Sequence, residues 1–505
     1  MFGQVGGGYQ GIEPILLLND PYFTPSAYSP YGQHWLHTTK VTYAWRLVGY
    51  DQPYTVDHNN PNRTIAIIDT GIDMDHPEFG GDGQLPPKIH PASATFVDEE
   101  ADLTPNCLCN PDSYEPPDPE GGPTDVQDVL WTILEGVNPH GTIEAGISGA
   151  YAQNGAGIAG VCWDCSLLVL RVTPYADPPD EDCQGCRASA VSVAACVRYA
   201  AGWNPGLSET DDSLWSPVRA RVICTAFEAI EGYNYASEFC DPTNPLNLAI
   251  DMACARGCII VAIAGNYTQG CLGPDNGPEP DDATCTPAGG FLGEASIRPL
   301  AWHSKTIAVG GACRTGQRWH CHSRTNPLPS ALGGCVDLHY PQHPIDSPLP
   351  VLSVVAPIED MIATFVYDLT QNPPGALYGF LNENVAGTSW ASPQVAGIVA
   401  LMLGVNPALT FEDVKYILEV TATDIGVPGY DQWTGAGLVN ARKAVEYVMK
   451  YTLPADWNGD GNIETLDAAL YITDYTKADA MTDLNLDTIQ STDDMGIFLD
   501  SYAGE

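Results

Sequence analysis

The sequence predicts an α/β protein organised on a doubly wound, mostly parallel sheet, followed by a small all-α segment at its C-terminal end. Three observations carry this expectation. Short apolar, β-branched runs recur along the chain: Thr64-Ile65-Ala66-Ile67-Ile68, Ile259-Ile260-Val261-Ala262-Ile263, Thr306-Ile307-Ala308-Val309 and Leu352-Ser353-Val354-Val355-Ala356. Runs that are apolar at nearly every position, not every second one, describe strands covered on both faces, as in parallel sheets. Stretches with helical spacing follow, among them Phe411–Leu418 and Ala441–Val448, giving the alternation of a wound sheet. Finally, the composition changes past Pro454, where residues 454–505 hold twelve acids and one base, Lys477.

Taken in order, residues 1–18 are glycine-rich and are expected to be a flexible lead-in. Tyr43-Ala44-Trp45 reads as the end of a short helix. The run Thr64–Ile68 then ends in Asp69-Thr70-Gly71, which places a carboxylate at a strand's C-terminal end, where open α/β sheets build their sites. Next comes His140-Gly141-Thr142, leading into Ala145-Gly146-Ile147-Ser148-Gly149. The run Ile259–Ile263 passes through Ala264 and Gly265 to Asn266. Gly387-Thr388-Ser389 opens onto a long, almost uncharged stretch ending near Leu403, the pattern of a helix buried on most sides. Ser389 stands at its N-terminal end, where unpaired N–H groups and the helix dipole favour developing negative charge. A hydroxyl there becomes a nucleophile when a base reaches it. Asp, His and Ser in that chain order form one of the known orders of the Ser-His-Asp triad.

These four motifs resemble those of the subtilisin-like serine proteases, the peptidase S8 family, and the resemblance spans residues 19–450. It implies a subtilisin-like fold and a serine endopeptidase that cleaves peptide bonds through an acyl-enzyme intermediate. Asp69, His140 and Ser389 would form the triad, and Asn266 would donate to the oxyanion. Asn19–Phe23 and Gln33-His34-Trp35 resemble the family's opening segment, and Gly435–Ala441 its ending. The resemblance also places Thr225, Ala226, Phe227 and Glu228, with Ala264 and Gly265, along the substrate backbone. Relatives read Ser-Leu-Gly-Gly at the first of these stretches, so Glu228 replaces a glycine. A carboxylate there would draw Lys or Arg side chains into the pocket, unless it faces solvent or pairs with Arg219 or Arg221. Trp390 stands where methionine often follows the serine. Glu78 and Asn154 match positions that bind calcium in many relatives. Two insertions, near 98–137 and 267–300, either shape access to the cleft or decorate the surface.

The C-terminal segment, 451–505, carries an internal repeat. Asp456, Asn458, Asp460 and Asn462 lead to Asp467, and the pattern returns 27 residues later as Asp483, Asn485 and Asp487 leading to Asp494. Oxygen side chains at positions 1, 3, 5 and 12, with Gly461 at position 6 of the first copy, describe an EF-hand-type calcium loop. Each copy continues into a helical stretch ending in Tyr475 or Tyr502. The pair resembles a dockerin, which implies calcium and either a cohesin-like partner or intramolecular docking. The second copy departs, with Thr488 where glycine makes the turn.

The chain of 505 residues has a net charge of −43 and a pI near 4.2. Such a surface disfavours nucleic acid and anionic membranes and suits calcium, salt or solubility outside the cell. Sixteen cysteines in close sets, among them Cys107/Cys109, Cys162/Cys165, Cys183/Cys186, Cys254/Cys258, Cys271/Cys285 and Cys313/Cys321, point to disulfides in an oxidising compartment. Zinc at the CxxC pairs, with His320 and His322 nearby, stays open as a second reading. No run is expected to span a membrane. The N-terminus lacks the basic and apolar regions of a signal peptide. The expectation is therefore a secreted, mature form whose export signal and propeptide precede Met1. The competing class is a protein that keeps this fold for binding or structure and has lost the chemistry; the four intact motifs argue against it.

Overall fold

The computed structural model describes residues 18–25, 30–50, 55–96, 140–172, 190–203, 217–226, 244–265, 299–316, 352–365, 377–381, 387–431, 434–452, 457, 463, 465–477, 480–484 and 490–503. Its centre is a seven-stranded sheet in the order β2-β3-β1-β4-β5-β6-β7, with every neighbouring pair parallel. The strands are β1 Thr64–Asp69, β2 Ala94–Thr95, β3 Ser166–Arg171, β4 Val222–Thr225, β5 Ile259–Ile263, β6 Thr306–Ala312 and β7 Leu352–Pro357. All but β2 are buried at every position, which is why their sequences are apolar throughout instead of alternating. A separate antiparallel pair joins β8 Met361–Thr364 to β9 Tyr378–Leu381.

Successive residues of each strand enter two different cores. Ile65, Ile67, Leu167, Val169, Val222, Val261 and Val309 pack with the helices Val41–Leu47, His140–Gly149, Ser392–Val405, Phe411–Thr421 and Ala441–Thr452. Ala66, Ile68, Leu168, Leu170, Ile223 and Ile260 face the helices Ala190–Ala200 and Pro245–Ala255. Helices on both faces make the sheet doubly wound, as the sequence predicts. The chain crosses from one half of the sheet to the other at β1, which lies between β3 and β4, so Asp69 ends the strand at the topological switch point.

The helix Ser392–Val405 is buried from Ser392 through Leu403. Thr388–Val405 is long and apolar enough to cross a membrane by length and composition alone, with a mean hydropathy of 1.3 over 18 residues, yet 89% of it is buried inside the fold. Its apolar character is that of a core helix packed between a sheet and other helices.

At the C-terminal end, helices Thr465–Thr476 and Thr492–Ala503 close over their own cluster of Trp457, Tyr471, Leu484 and Phe498. The Tyr471 and Phe498 rings stack with centroids 4.0 Å apart. The Tyr416 hydroxyl donates to Asp483 Oδ2, and the Tyr447 hydroxyl donates to the Asp483 carbonyl at 2.5 Å. Lys450 Nζ lies 4.1 Å from the Trp457 ring centroid.

Among the described cysteines, Cys162 and Cys165 are disulfide-bonded. Cys254 and Cys258, one of the close sets whose pairing the sequence leaves open, are not bonded to each other. Their thiols point to different strands: Cys254 Sγ donates to the Lys305 carbonyl ahead of β6, and Cys258 Sγ to the Ala220 carbonyl ahead of β4. Cys107, Cys109, Cys183, Cys186, Cys271, Cys285 and Cys321, with His320 and His322, lie outside the described residues.

Candidate active site

Asp69 is fully buried at the end of β1, and its Oδ1 accepts the Thr70 N–H at 2.7 Å. His140 is the first residue of its helix, and its Nδ1 lies 3.0 and 2.9 Å from Asp69 Oδ1 and Oδ2. The approach depends on Gly141. A Cβ there would meet the Gly71 carbonyl oxygen at 2.2 Å, so a side chain would push the helix start off the strand end. Thr70 Oγ1 accepts the Gly141 N–H at 2.9 Å, and Thr142 Oγ1 accepts the Asp73 N–H at 2.9 Å. The loop after β1 and the helix after it are thus tied together from both sides.

Ser389 sits in the single 3-10 turn Thr388–Trp390 that precedes the Ser392–Val405 helix, and only 4% of it is exposed. This turn packs against the His140 helix, and the Trp390 ring lies 5.0 Å from the His140 imidazole. Trp390 therefore shields one side of the imidazole. Gln394 Nε2 fixes the turn from below by donating to the carbonyls of Trp390 and Pro357, both at 2.7 Å. Thr388 Oγ1 accepts the Gly265 N–H at 3.3 Å, joining the serine turn to the end of β5. Gly265 takes a φ of +110°, which only glycine adopts without strain.

Of the expected substrate wall, Thr225, Ala226, Ala264 and Gly265 lie at the C-terminal ends of the paired strands β4 and β5. Asn266, Phe227 and Glu228 lie outside the described residues. Arg221 precedes β4 and donates to the Gly257, Leu409 and Pro407 carbonyls. Arg219, two residues earlier, donates to the Tyr199 carbonyl and lies over the Tyr199 ring. Both arginines are engaged at the N-terminal end of β4.

Glu78 and Asn154 do come together. Asn154 Nδ2 donates to Glu78 Oε2 at 2.9 Å, while Ile158 N–H and the Tyr378 hydroxyl donate to Glu78 Oε1 at 2.9 and 3.0 Å. Burial pushes the Glu78 carboxyl up to about 8, against those three donors. A residue beyond the expected pair joins them: Asp20, whose carboxylate accepts the Gln153 and Asn154 N–H groups and is pushed by burial up to about 6. Two buried acids at one loop form a donor set that fits a hard cation such as calcium, which would supply the positive charge that the loop N–H groups provide only in part. The signal for Asp20 was its place in the opening segment; its contact with the loop across more than a hundred residues was not readable.

In the C-terminal repeat, Asp467 and Asp494 are fully buried and Asp483 is 3% exposed. Asp456, Asn458, Asp460, Asn462, Asn485 and Asp487 lie outside the described residues. Asp494 already accepts the Leu484 and Ser491 N–H groups at 2.8 and 2.7 Å. Buried carboxylates of this kind fit calcium ligands.

Comparison with known proteins places this geometry. The model of the subtilase family, Peptidase_S8, matches residues 60–437, which holds every described element from β1 to the turn after the Phe411–Thr421 helix. The chain belongs to the subtilase family. Among similar subtilases, mycosin-1 of Mycobacterium tuberculosis is 26% identical over 343 residues, covering 66% of this chain and 65% of the mycosin. An extracellular serine protease of Serratia marcescens is 24% identical over 64% of this chain and 29% of its own length. Thermitase of Thermoactinomyces vulgaris is 23% identical over 85% of this chain and 99% of the thermitase. The chain thus spans less than two thirds of the first two relatives. A solved protease of Pseudoalteromonas arctica shares the fold with a TM-score of 0.52 at 19% identity, covering 85% of this chain and 99% of that one.

Proposed function

We propose that the protein is a secreted serine endopeptidase that acts on protein or peptide substrates through Asp69, His140 and Ser389. The observation that carries this reading is the contact of both Asp69 carboxylate oxygens with His140 Nδ1 beside the turn that bears Ser389. His140 Nε2 takes the proton from Ser389 Oγ as the oxygen bonds to the substrate carbonyl carbon. It then returns that proton to the leaving amine. Asp69 keeps the proton on Nδ1 and stabilises the imidazolium. Asn266 and the Ser389 N–H donate to the oxyanion, each donor contributing about 2.7–4 kcal/mol to the transition state. Water then hydrolyses the acyl-enzyme by the same proton path.

Calcium would be held by Glu78 and Asn154 with Asp20, and by the repeat ligands Asp456 to Asp467 and Asp483 to Asp494. When bound it supplies fixed positive charge to buried carboxylates. The domain division is 1–18, 19–450 and 451–505, the last a dockerin-like module that docks on a cohesin-like partner or on the chain's own body. Export fits the Cys162–Cys165 disulfide and the acidic surface. The test is cleavage of a denatured protein by the wild type and by Ser389→Ala, with labelling by an organophosphate-type serine reagent. Removing a triad serine costs roughly 10⁶ in kcat. Cleavage by the folded Ser389→Ala variant at the wild-type rate would remove the proposal.

A further inference from the structure

A second carboxyl group faces the imidazole. Glu144 lies one helical turn beyond His140 on the same face, is fully buried, and brings Oε1 to 3.4 Å from His140 Nδ1. That nitrogen is the one held by Asp69, and the ligand atoms of Asp69, His140 and Glu144 all lie within 4.8 Å of one another. Fixed helix and strand ends hold all three, so the approach is built into the backbone.

We propose that Glu144 is a positioning residue of the triad, a second carboxyl for His140 Nδ1 that is partly redundant with Asp69. The inference rests on the triad reading above. Two buried carboxyl groups beside one imidazole nitrogen place negative charge behind the ring. When Ser389 Oγ bonds to the carbonyl carbon, its proton moves to His140 Nε2, and the Nδ1–H stays in place, donating to the pair. On β3, Arg171 is the register partner of Asp69. On β4, the Cys224 thiol is pushed up by burial and by the nearby charges of Glu144 and Asp69, and its Sγ donates to Ser392 Oγ. Strand β8 and the Ser392–Val405 helix carry no ionisable side chain.

The experiment is the pH dependence of kcat/KM on a peptide substrate for the wild type, Glu144→Gln, Asp69→Asn and the double variant, each checked for folding by its thermal midpoint. In a triad with one carboxylate, the Asp-to-Asn change costs about 10⁴ in kcat. Here Asp69→Asn is expected to cost only about 10², because the Glu144 carboxyl still faces Nδ1 and retains the Nδ1–H tautomer; adding Glu144→Gln costs about 10² more, and Glu144→Gln alone less than about tenfold. In the Asp69→Asn background, Glu144→Gln also moves the acid limb to lower pH by about one unit, since it removes the negative charge that raises the His140 pKa. Equal factors for Glu144→Gln in both backgrounds, or an unmoved acid limb, would overturn the proposal. If Glu144→Gln does not fold, Glu144→Asp in the Asp69→Asn background withdraws the charge by one methylene and must lower the rate and move the limb; no change overturns it too. A triad reading that fails shows itself separately, as an active Ser389→Ala protein.

Discussion

Two regions of this molecule hold carboxylates out of water, and they do so by different means. Around Asp69 the partners are an imidazole and backbone groups set by a strand end and a helix start. Around Glu78 and Asp20 the partners are loop N–H groups and two neutral side chains, and burial pushes both acids upward. The first arrangement brings its own cationic partner when the imidazole protonates. The second leaves two buried acids facing each other across a loop, which a divalent cation would relieve. The first region is thus set by rigid element ends, and the second by a loop whose buried acids fit a cation.

The sharpest way to break the comparison is to disturb the first region without touching its reacting atoms. Gly141→Ala places a Cβ 2.2 Å from the Gly71 oxygen, against backbone that cannot yield as a side chain would. The helix start should shift, lengthening the His140–Asp69 contact. A displacement of about 1 Å costs about 10² in turnover, and the overpacking destabilises by about 1–3 kcal/mol. Calcium should restore none of the lost rate. A Gly141→Ala enzyme with wild-type kcat would mean that the close approach of these elements is not what positions the imidazole.

The sequence made the first region legible because its parts are local. An apolar strand must end somewhere, and Asp69 ends one; a buried helix must begin somewhere, and Ser389 precedes one. Glycine beside each marks close backbone contact. The parallel sheet was legible for the same reason, since full burial leaves a continuous apolar run. Glu144 was not singled out, because an acid at this place on a helix reads as a solvated position until the fold buries it. Asp20 was equally hidden: its contact with the loop at 153–154 is set by tertiary packing, not spacing. The pairing of the cysteines was not legible at all: Cys254 and Cys258 stand four residues apart, yet their thiols turn to different carbonyls.

The second region should respond to protons and calcium against each other. Glu78, raised from 4.5 to about 8, binds its proton more tightly in the folded chain. Its protonated form thus contributes stability fully present below about pH 4.5 and lost as pH rises towards 8. Asp20, raised from 3.8 to about 6, acts in the same direction over a lower window. Calcium requires both as carboxylates. The rise in thermal midpoint on adding calcium to chelated protein should be largest near pH 8 and shrink by pH 5, and Glu78→Gln should reduce it at pH 8. An increment independent of pH, or unaffected by Glu78→Gln, would show that calcium acts elsewhere, with the C-terminal loops as the next place to look.

The smallest expected effect concerns how the C-terminal helices sit on the body. Tyr416, on the Phe411–Thr421 helix, donates its hydroxyl to the carboxylate of Asp483, and the neighbouring Tyr447 donates to the same residue's carbonyl. Asp483 is also position 1 of the second candidate calcium loop, so one carboxylate serves either the body or an ion. Tyr416→Phe removes a single hydroxyl donating to a charged acceptor, a contact contributing about 1.5–3 kcal/mol, while Tyr447 keeps its bond. Opening of the segment 480–503 should therefore become more frequent, with faster amide exchange there and unchanged exchange in β1 and β5. Calcium should slow that exchange in the variant more than in the wild type, because an ion at Asp483 replaces the missing donor. Turnover should not change, since the hydroxyl's partner is Asp483 and not Asp69, His140 or Ser389. If exchange at 480–503 is the same in both proteins without calcium, the Asp483 carboxylate is not what holds the module to the body, and the Lys450 contact with Trp457 is the next one to remove.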